Sequence, residues 1–240
     1  MRKIIALTVD VEPDCPPYLH TYRGIEEGLP GLLSVLEKHG VEATLFITGD
    51  VASKYPRQVE GMAQHHEVGC HGYSHARFDM MTFGEASHEI EKSTEVLCRA
   101  SGREIISFRA PNLVFPERFL GLLRDNGYLI DSSLAKYKPQ HLYLIHAAGR
   151  DFNNGLLRVP VSATSSILRL PLGNKILSHL SSPVVLFFHP WEFVDMQSEP
   201  VRWDCRINTG STALLRLESV IGFFKASGYR FCTMADFLNP

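Results

Sequence analysis

Short apolar segments alternate with helical patterns along most of the chain, and this alternation restricts its fold more than any other feature. Segments such as IIALTV, ATLFIT and VVLFFH are almost continuously apolar, which is typical of strands buried on both faces of a parallel sheet. Between them, apolar residues recur at helical spacing, as they do from Leu29 to Leu36. Seven or eight such units predict a sheet of parallel strands covered by helices.

The residues after the first predicted strand indicate how this sheet closes. An open, doubly wound sheet usually has a glycine-rich turn at that point, and no such turn follows Asp10. A single barrel is also a common solution for a chain of 240 residues. We therefore predict an α/β fold in which residues 1–240 form one domain, an irregular (β/α) barrel of seven or eight parallel strands.

Composition and charge narrow the classes of partner. A net charge of −2 gives no basic surface for nucleic acid. The longest apolar runs, such as VVLFF, are far too short for a membrane span, and the first apolar run meets acidic residues too early for a secretory signal. The five cysteines are scattered and lack CxxC spacing, which favours reduced, buried thiols. These features predict a cytoplasmic protein without an integral membrane segment.

Polar residues suited to catalysis follow or end five of the predicted strands. Parallel barrels place their active sites at the carboxyl ends of their strands, so we expect these side chains to meet at one mouth of the barrel. They are Asp10, His71, Arg109, Asp131 and His189.

Two histidines and a group of acidic residues predict a metal site. His71 and His75 are four residues apart in HGYSH, close enough to bind one ion. In an extended strand, residues two apart point the same way, so Glu12 shares a side with Asp10, and one of them can bind metal while the other acts as a base. Asp14 is a turn residue or an alternative ligand. Imidazole and carboxylate ligands favour Zn²⁺, Co²⁺, Ni²⁺ or Fe²⁺ over Ca²⁺ or Mg²⁺.

Taken together, these motifs resemble those of the polysaccharide deacetylase family, metal-dependent carbohydrate esterases with an irregular barrel of NodB-homology type. The segments LTVDVE, HGYSH, FRAPN, IDSS and LFFHPWEF stand where that family has its five motifs. The resemblance implies a set of roles: Asp10 as the base with Arg109 as its partner, His71 and His75 as metal ligands, and His189 as the acid, steered by Asp131.

The chain departs from the family pattern in two of these motifs. Members commonly have a second Asp directly after the first, where this chain has Val11, so Glu12 is the natural substitute as ligand. Ser132 and Ser133 follow the Asp of the fourth motif, where an aromatic residue is common. The DVE, RAPN and HPWEF forms resemble a branch that acts on varied sugars, and the substrate therefore does not follow from the resemblance.

The expected function is a metal-dependent hydrolase that removes an acetyl or formyl group from the nitrogen of an amino sugar or lipid-linked sugar. One divalent ion, with zinc as first choice, would serve as cofactor, and the backbone N–H of Asn112 would stabilise the oxyanion. Trp191 either stacks on a sugar ring or packs at the barrel rim. Two alternatives remain: a hydrolase of small non-peptide amides of the ureide type, and a non-catalytic carbohydrate-binding barrel.

Overall fold

A computed structural model describes residues 3–139, 141–142, 155–170 and 176–239. The chain divides into two compact units, and each unit is assembled from two separate stretches of sequence. The first unit comprises Met1–Ala43 and Ala163–Cys232, and the second comprises Thr44–Ser162 and Thr233–Pro240.

Strands and helices alternate along the described residues. The strands are β1 (Ile4–Val11), β2 (Thr44–Ile47), β3 (Glu67–Cys70), β4 (Ser107–Phe108), β5 (Ile130–Asp131), β6 (Leu157–Arg158), β7 (Ala163–Thr164), β8 (Val184–Phe188) and β9 (Arg230–Cys232). The α-helices are α1 (Leu29–Lys38), α2 (Gly49–Lys54), α3 (Pro56–Ala63), α4 (Phe83–Ser101), α5 (Leu120–Asp125), α6 (Ser165–Leu168), α7 (Trp203–Arg206) and α8 (Ser211–Ala226).

In the first unit, β1 is paired in parallel on both edges. Leu7 of β1 is in register with Leu186 of β8, and Ile5 is in register with Phe231 of β9. Strand β7 continues this sheet on the other edge of β8. Seven of the eight residues of β1 are buried, as expected for a strand that is covered on both faces.

In the second unit, five strands pair in parallel in the order β2, β3, β4, β5 and β6. Phe108 of β4 stands in register between Cys70 of β3 and Asp131 of β5. Its ring makes edge contacts with Phe78, Phe115 and Tyr128 at centroid distances of 5.7, 5.1 and 5.6 Å. These aromatic contacts pack the core directly below the strand ends that carry the polar residues.

The predicted α/β architecture with parallel strands is confirmed, and several boundaries differ. The helix predicted through Val59 is two helices, because Pro56 cannot continue the hydrogen bonding of α2 and instead begins α3. The strand predicted as LLRVPVS ends at Arg158, and β7 was not predicted, so the described residues contain nine strands. The helix predicted in LPLGNKILSHL falls partly on residues 171–175, outside the described residues.

No helix in the described part of the chain is both long enough and apolar enough to cross a membrane.

Helix α4 begins and ends at residues suited to those positions. The hydroxyl of Thr82 accepts a hydrogen bond from the Glu85 N–H (3.3 Å), and the Glu85 carboxylate accepts one from the Thr82 N–H (2.7 Å), which forms a capping box. The helix ends at Gly102, whose φ of +65° is left-handed and favours glycine. Both ends of α4 are therefore specified locally.

We expect Thr82→Ala to lower the free energy of unfolding by about 1 kcal/mol, because the cap of α4 loses its side-chain acceptor. Ser87→Ala on the same helix is the matched control and should change stability by less than about 0.5 kcal/mol. Urea denaturation followed by circular dichroism measures both. Equal losses in the two variants would contradict the capping assignment.

Candidate active site

Backbone hydrogen bonds hold the HGYSH loop after β3. The N–H of His71 donates to the carbonyl of Ile47 (3.0 Å), and the carbonyl of Gly72 accepts from Gly49 N–H (2.9 Å). Gly72 and His75 both have left-handed backbones, with φ of +73° and +60°. For His75, which carries a Cβ, such a backbone is uncommon and is often found at functional sites.

Glu89 on α4 fixes the same loop from its other side. One oxygen of its carboxylate accepts from the N–H groups of Tyr73 and Ser74, both at 3.0 Å, and the other accepts from the Ser74 hydroxyl at 2.7 Å. Glu89 was not predicted as a site residue, because nothing in the helical pattern of α4 distinguishes it from the other acidic residues. Glu89 therefore positions the histidine loop through its backbone.

The imidazole of His71 is oriented for ligation. Its Nδ1 lies 2.8 Å from the carbonyl oxygen of Arg109. Because a carbonyl can only accept, Nδ1 carries the proton and Nε2 keeps its lone pair. The ring is 1% exposed, and its centroid is 5.3 Å from that of His75. A metal-binding histidine is commonly held in this way by a carbonyl behind it.

Arg109 is fully buried beside the serines of the fourth motif. Its Nη2 donates to the Ser132 hydroxyl at 2.9 Å, and its guanidinium lies 4.2 Å from the centroid of the Phe46 ring. The Ser133 hydroxyl accepts from the N–H of Ala110 at 2.9 Å. The two serines therefore bind the FRAPN segment, one through the Arg109 side chain and the other through the Ala110 N–H.

Asp131 is also fully buried, and its carboxylate is held by neighbours in the second unit. One oxygen accepts from Arg158 Nε at 3.0 Å, and the other accepts from the N–H of Ser133 at 2.9 Å. Asn112 lies on the surface with φ of +59°, and its carbonyl accepts from Lys138 Nζ at 2.7 Å.

Asp10 and Glu12 lie at the end of β1 and are both nearly inaccessible to solvent, at 3% and 4% exposure. Charged carboxylates are rarely buried without a cation or hydrogen-bond donors. Val11 between them is fully buried as part of the apolar core, and β1 ends at this residue, so Glu12 is the first residue after the strand.

Asp14 anchors the following loop. One carboxylate oxygen accepts from the Thr21 hydroxyl and from Arg23 N–H, both at 2.7 Å, and the other accepts from Gly24 N–H at 2.8 Å. Gly24 is required here, because a Cβ at this position would lie 2.4 Å from the backbone nitrogen of Trp191 and 2.8 Å from the carboxylate. Both carboxylate oxygens of Asp14 therefore accept hydrogen bonds from the loop that follows it.

His189 lies between two carboxylates. Its Nδ1 is 2.7 Å from Glu192 Oε1, and its Nε2 is 3.8 Å from Glu12 Oε1. Burial lowers the pKa of His189, but the charges of Glu12 and Glu192 outweigh this effect and raise the pKa from 6.5 to about 9. The imidazole is therefore protonated at neutral pH in the metal-free protein.

The carboxylate that contacts the His189 ring is Glu192 rather than the predicted Asp131. The oxygens of Asp131 are held by Arg158 and Ser133 instead. Glu192 lies three residues after His189 in HPWEF, and one turn of 3₁₀ helix, Pro190–Phe193, brings its carboxylate back to the ring. This spacing was the signal in the sequence that could have identified Glu192.

Arg169 completes a buried row of charges behind His189. Its Nε lies 3.1 Å from Glu192 Oε2, and the two side chains are 3% and 1% exposed. The Ser165 hydroxyl donates to the same carboxylate. Burial raises the pKa of Glu192, but Arg169 and His189 hold it below its ordinary value. Glu192 is therefore an ionised partner for the imidazolium.

Trp191 is not an exposed platform for a sugar. Its side chain is 5% exposed and packs in a buried cluster with Cys15, Met196 and Cys205. One face of the indole stacks on the His189 ring at a centroid distance of 4.9 Å and an angle of 21°. Of the two roles considered, packing is the one that the structure supports, and Trp191 limits the orientations that His189 can adopt.

Glu12, His71 and His75 form a group of metal-ligating type. One donor atom from each lies within 4.8 Å of the others, and the group is found among the described residues without Asp14. One carboxylate and two imidazoles match the set of protein ligands in catalytic zinc sites. The chemistry of the residues present therefore fits a divalent metal.

Comparison with known proteins places these features in a family. The family model for polysaccharide deacetylase matches residues 1–130. The chain belongs to the polysaccharide deacetylase family. It is 34% identical over 127 residues to the peptidoglycan-N-acetylglucosamine deacetylase of Bacillus cereus, a match that covers 52% of this chain and 42% of the relative.

Other curated relatives match a similar share of the chain. The peptidoglycan-N-acetylmuramic acid deacetylase PdaA of Bacillus subtilis is 26% identical over 159 residues, which cover 56% of this chain and 60% of PdaA. The chain thus spans about half the length of the curated relatives that it matches.

Solved structures confirm the predicted barrel type of this family. BA3943 of Bacillus anthracis, described as a CE4 family pseudoenzyme, superposes with a TM-score of 0.69 at 17% identity, over 99% of this chain and 66% of that one. The Bc1960 peptidoglycan N-acetylglucosamine deacetylase superposes with a TM-score of 0.67 at 22% identity, over 98% and 87%. At these identities the match shows the fold alone, and the side chains have to decide the activity.

We expect Glu192→Gln to lower the pKa of His189 by at least about 1 unit, because an adjacent carboxylate favours the imidazolium. NMR titration of the histidine ring nitrogens in metal-free protein measures this. Glu199→Gln, in the same loop region, is the control and should leave the pKa of His189 unchanged. An unchanged pKa in Glu192→Gln would contradict the assignment.

The same pair predicts a pH dependence of stability. The pKa of His189 is higher in the folded protein than its ordinary value, so its stabilising contribution is complete below pH 6.5 and is lost as the pH rises through 9. The stability difference between the wild type and Glu192→Gln should therefore be largest near pH 6 and smaller above pH 9. Some difference should persist at every pH, because the variant leaves Arg169 buried without its partner. Urea denaturation across this pH range measures it.

Proposed function

We propose that this chain is a metal-dependent hydrolase that removes an acetyl or formyl group from the nitrogen of an amino sugar or lipid-linked sugar. The observation that carries the proposal is the convergence of donor atoms from Glu12, His71 and His75 to within 4.8 Å. Membership of the polysaccharide deacetylase family supports the reaction class. The buried acid–base residues described above supply the remaining chemistry.

Glu12, His71 and His75 would hold one divalent ion, with zinc as the first choice and cobalt, nickel or iron as possible occupants. When bound, such an ion polarises the acyl oxygen and lowers the pKa of a coordinated water towards about 7. We assign the carboxylate ligand to Glu12, since both oxygens of Asp14 accept hydrogen bonds from its own loop.

Asp10 would act as the general base that takes the proton of the attacking water. It is the other acidic residue at the end of β1, and it is 3% exposed. Arg109 would be its partner, as the family resemblance implies. The Arg109 guanidinium is fully buried and donates to the Ser132 hydroxyl, and a buried cation of this kind is suited to balance the charge of a buried carboxylate.

His189 would protonate the departing amine. Its proton on Nδ1 is bound by Glu192, so Nε2, on the Glu12 side of the ring, is the nitrogen that donates to the substrate. Trp191 and Glu192 keep the ring in one orientation. The ionised carboxylate of Glu192 favours the protonated ring, which is the state that a general acid needs before the reaction.

The backbone N–H of Asn112 would stabilise the oxyanion that forms on water attack. Its left-handed backbone, with φ of +59°, interrupts the turn Pro111–Leu113. Such conformations persist where the surrounding structure holds them, and the Lys138 contact with the Asn112 carbonyl supplies part of that support.

The non-catalytic carbohydrate-binding barrel is the second candidate, because one structural neighbour is described as a pseudoenzyme and Val11 replaces a residue common in the family. Purification with metal analysis, followed by acetate and formate release from a panel of acylated amino sugars and ureides, separates the candidates. Release from a sugar supports our proposal, whereas release only from ureides favours the small-amide hydrolase. Sugar binding without metal or product favours the binding barrel.

We expect His71→Ala and His75→Ala to lose stoichiometric metal, because each removes a ligand. Asp10→Asn should retain the metal, but its kcat should fall by at least about 100-fold, since only the base is lost. Metal content is measured by plasma mass spectrometry and turnover by acetate release. His88→Ala, on the exposed face of α4, is the control and should retain both metal and activity. An active Asp10→Asn enzyme would rule out the base assignment.

Glu12→Gln and Asp14→Asn should separate the two carboxylates. Glu12→Gln should reduce metal content with little loss of fold, because its role is ligation. Asp14→Asn should keep metal and lower the free energy of unfolding by about 1–3 kcal/mol, because a charged acceptor of three hydrogen bonds is weakened. The reverse pattern of metal content would show Asp14 to be the ligand.

A further inference from the structure

A cavity of about 400 Å³ lies beside the loop that follows HPWEF in the first unit. This volume falls within the range of roughly 300–1,000 Å³ that small-molecule sites occupy. The lining residues are Gln197, Trp203, Arg206, Ile207 and Asn208. The proposed hydrolysis uses none of these side chains, so the cavity requires a separate explanation.

Trp203 is the most unusual member of this lining. Its side chain is 62% exposed, whereas Trp191, the other tryptophan of the chain, is 5% exposed. An indole gives a large, rigid, apolar contact surface and loses little conformational entropy when it is covered. The C–H face of a pyranose ring is flat and apolar, and it is complementary to such a surface.

Three of the four remaining lining residues are polar, and the fourth is Ile207. Gln197 and Asn208 carry amide groups that both donate and accept, and Arg206 carries a planar set of donors. Hydroxyl and acylamido groups, which also donate and accept, are complementary to such a lining.

Arg169 fixes the wall of the cavity. Its guanidinium donates to the carbonyls of Ile207 (2.5 Å) and Asp204 (3.0 Å), and its own carbonyl accepts from the Asn208 side chain (2.6 Å). The same guanidinium pairs with Glu192 at 3.1 Å. The wall is therefore preorganised, and it shares a buried residue with the carboxylate that orients His189.

We propose that this cavity is a carbohydrate subsite, in which Trp203 stacks on a neighbouring sugar ring of the same glycan that carries the N-acylated sugar. Gln197, Arg206 and Asn208 hydrogen-bond the hydroxyl or acylamido groups of that ring. This inference rests on the proposed function and extends its substrate from a single amino sugar to an oligosaccharide.

Calorimetric binding of the N-acetylglucosamine tetramer and monomer tests the subsite, in an Asp10→Asn background that prevents turnover. We expect Trp203→Ala to weaken tetramer binding at least 10-fold and monomer binding less than 2-fold, because only the tetramer reaches Trp203. Trp203→Phe should retain most of the affinity. Leu215→Ala is the matched control, since Leu215 is an exposed apolar residue of the same unit, at 68% exposure.

Tryptophan fluorescence provides a second measurement, because the chain has two tryptophans and only Trp203 is exposed. Tetramer binding should shift the emission to shorter wavelength, and Trp203→Phe should abolish the shift. The subsite would be overturned if Trp203→Ala bound the tetramer as tightly as its parent, or if the parent did not bind the tetramer at all. If binding depends on Trp203 but the wild-type protein shows no turnover, the subsite is supported and the proposed hydrolase is rejected. If the wild-type protein shows turnover but binding does not depend on Trp203, only the subsite is rejected.

Discussion

The burial of carboxylates is the constraint on which the rest of this structure depends. Among the residues that the structure describes, five acidic side chains are at most 4% exposed, and each would be costly to bury without donors or cations around it. They are Asp10, Glu12, Asp14, Asp131 and Glu192. Most of these residues lie at or after the carboxyl end of a parallel strand. The loops that follow the strands then provide hydrogen-bond donors or cations, which differ from one carboxylate to the next.

These different partners separate structural from chemical roles. Asp14 accepts three hydrogen bonds from its own loop, and Asp131 is held by Arg158 and a backbone N–H, so both oxygens of each side chain serve the fold. Glu192 is different, because it connects Arg169 on one side with the ring of His189 on the other. The buried Arg169 therefore stabilises the negative charge of Glu192, and this charge in turn favours the protonated imidazole of His189.

The sequence predicted the parts of the site that local pattern determines. Each apolar run that ends in Asp10, His71 or His189 predicted a strand, and it also predicted that the polar residue lies at the carboxyl end of that strand. Glu89 and Arg169 were not assigned, because their roles depend on contacts that the linear pattern does not encode. Arg169 meets Glu192 across 23 positions of sequence, and Glu89 reaches the histidine loop from a helix in which other acidic residues follow the same spacing. Glu192 is a different case, because its spacing of three residues from His189 is a signal that the sequence does contain.

The departure at Val11 follows from the packing of the strand. Val11 is fully buried with the apolar core and is the last residue of β1. A carboxylate at position 11 would have to be buried in that core unless the end of the strand were rebuilt. An acid one residue later leaves this apolar position unchanged, and the longer Glu side chain extends the reach of its carboxylate. The altered first motif is thus compatible with the same pair of functions, a base and a ligand, on a strand whose last residue belongs to the core.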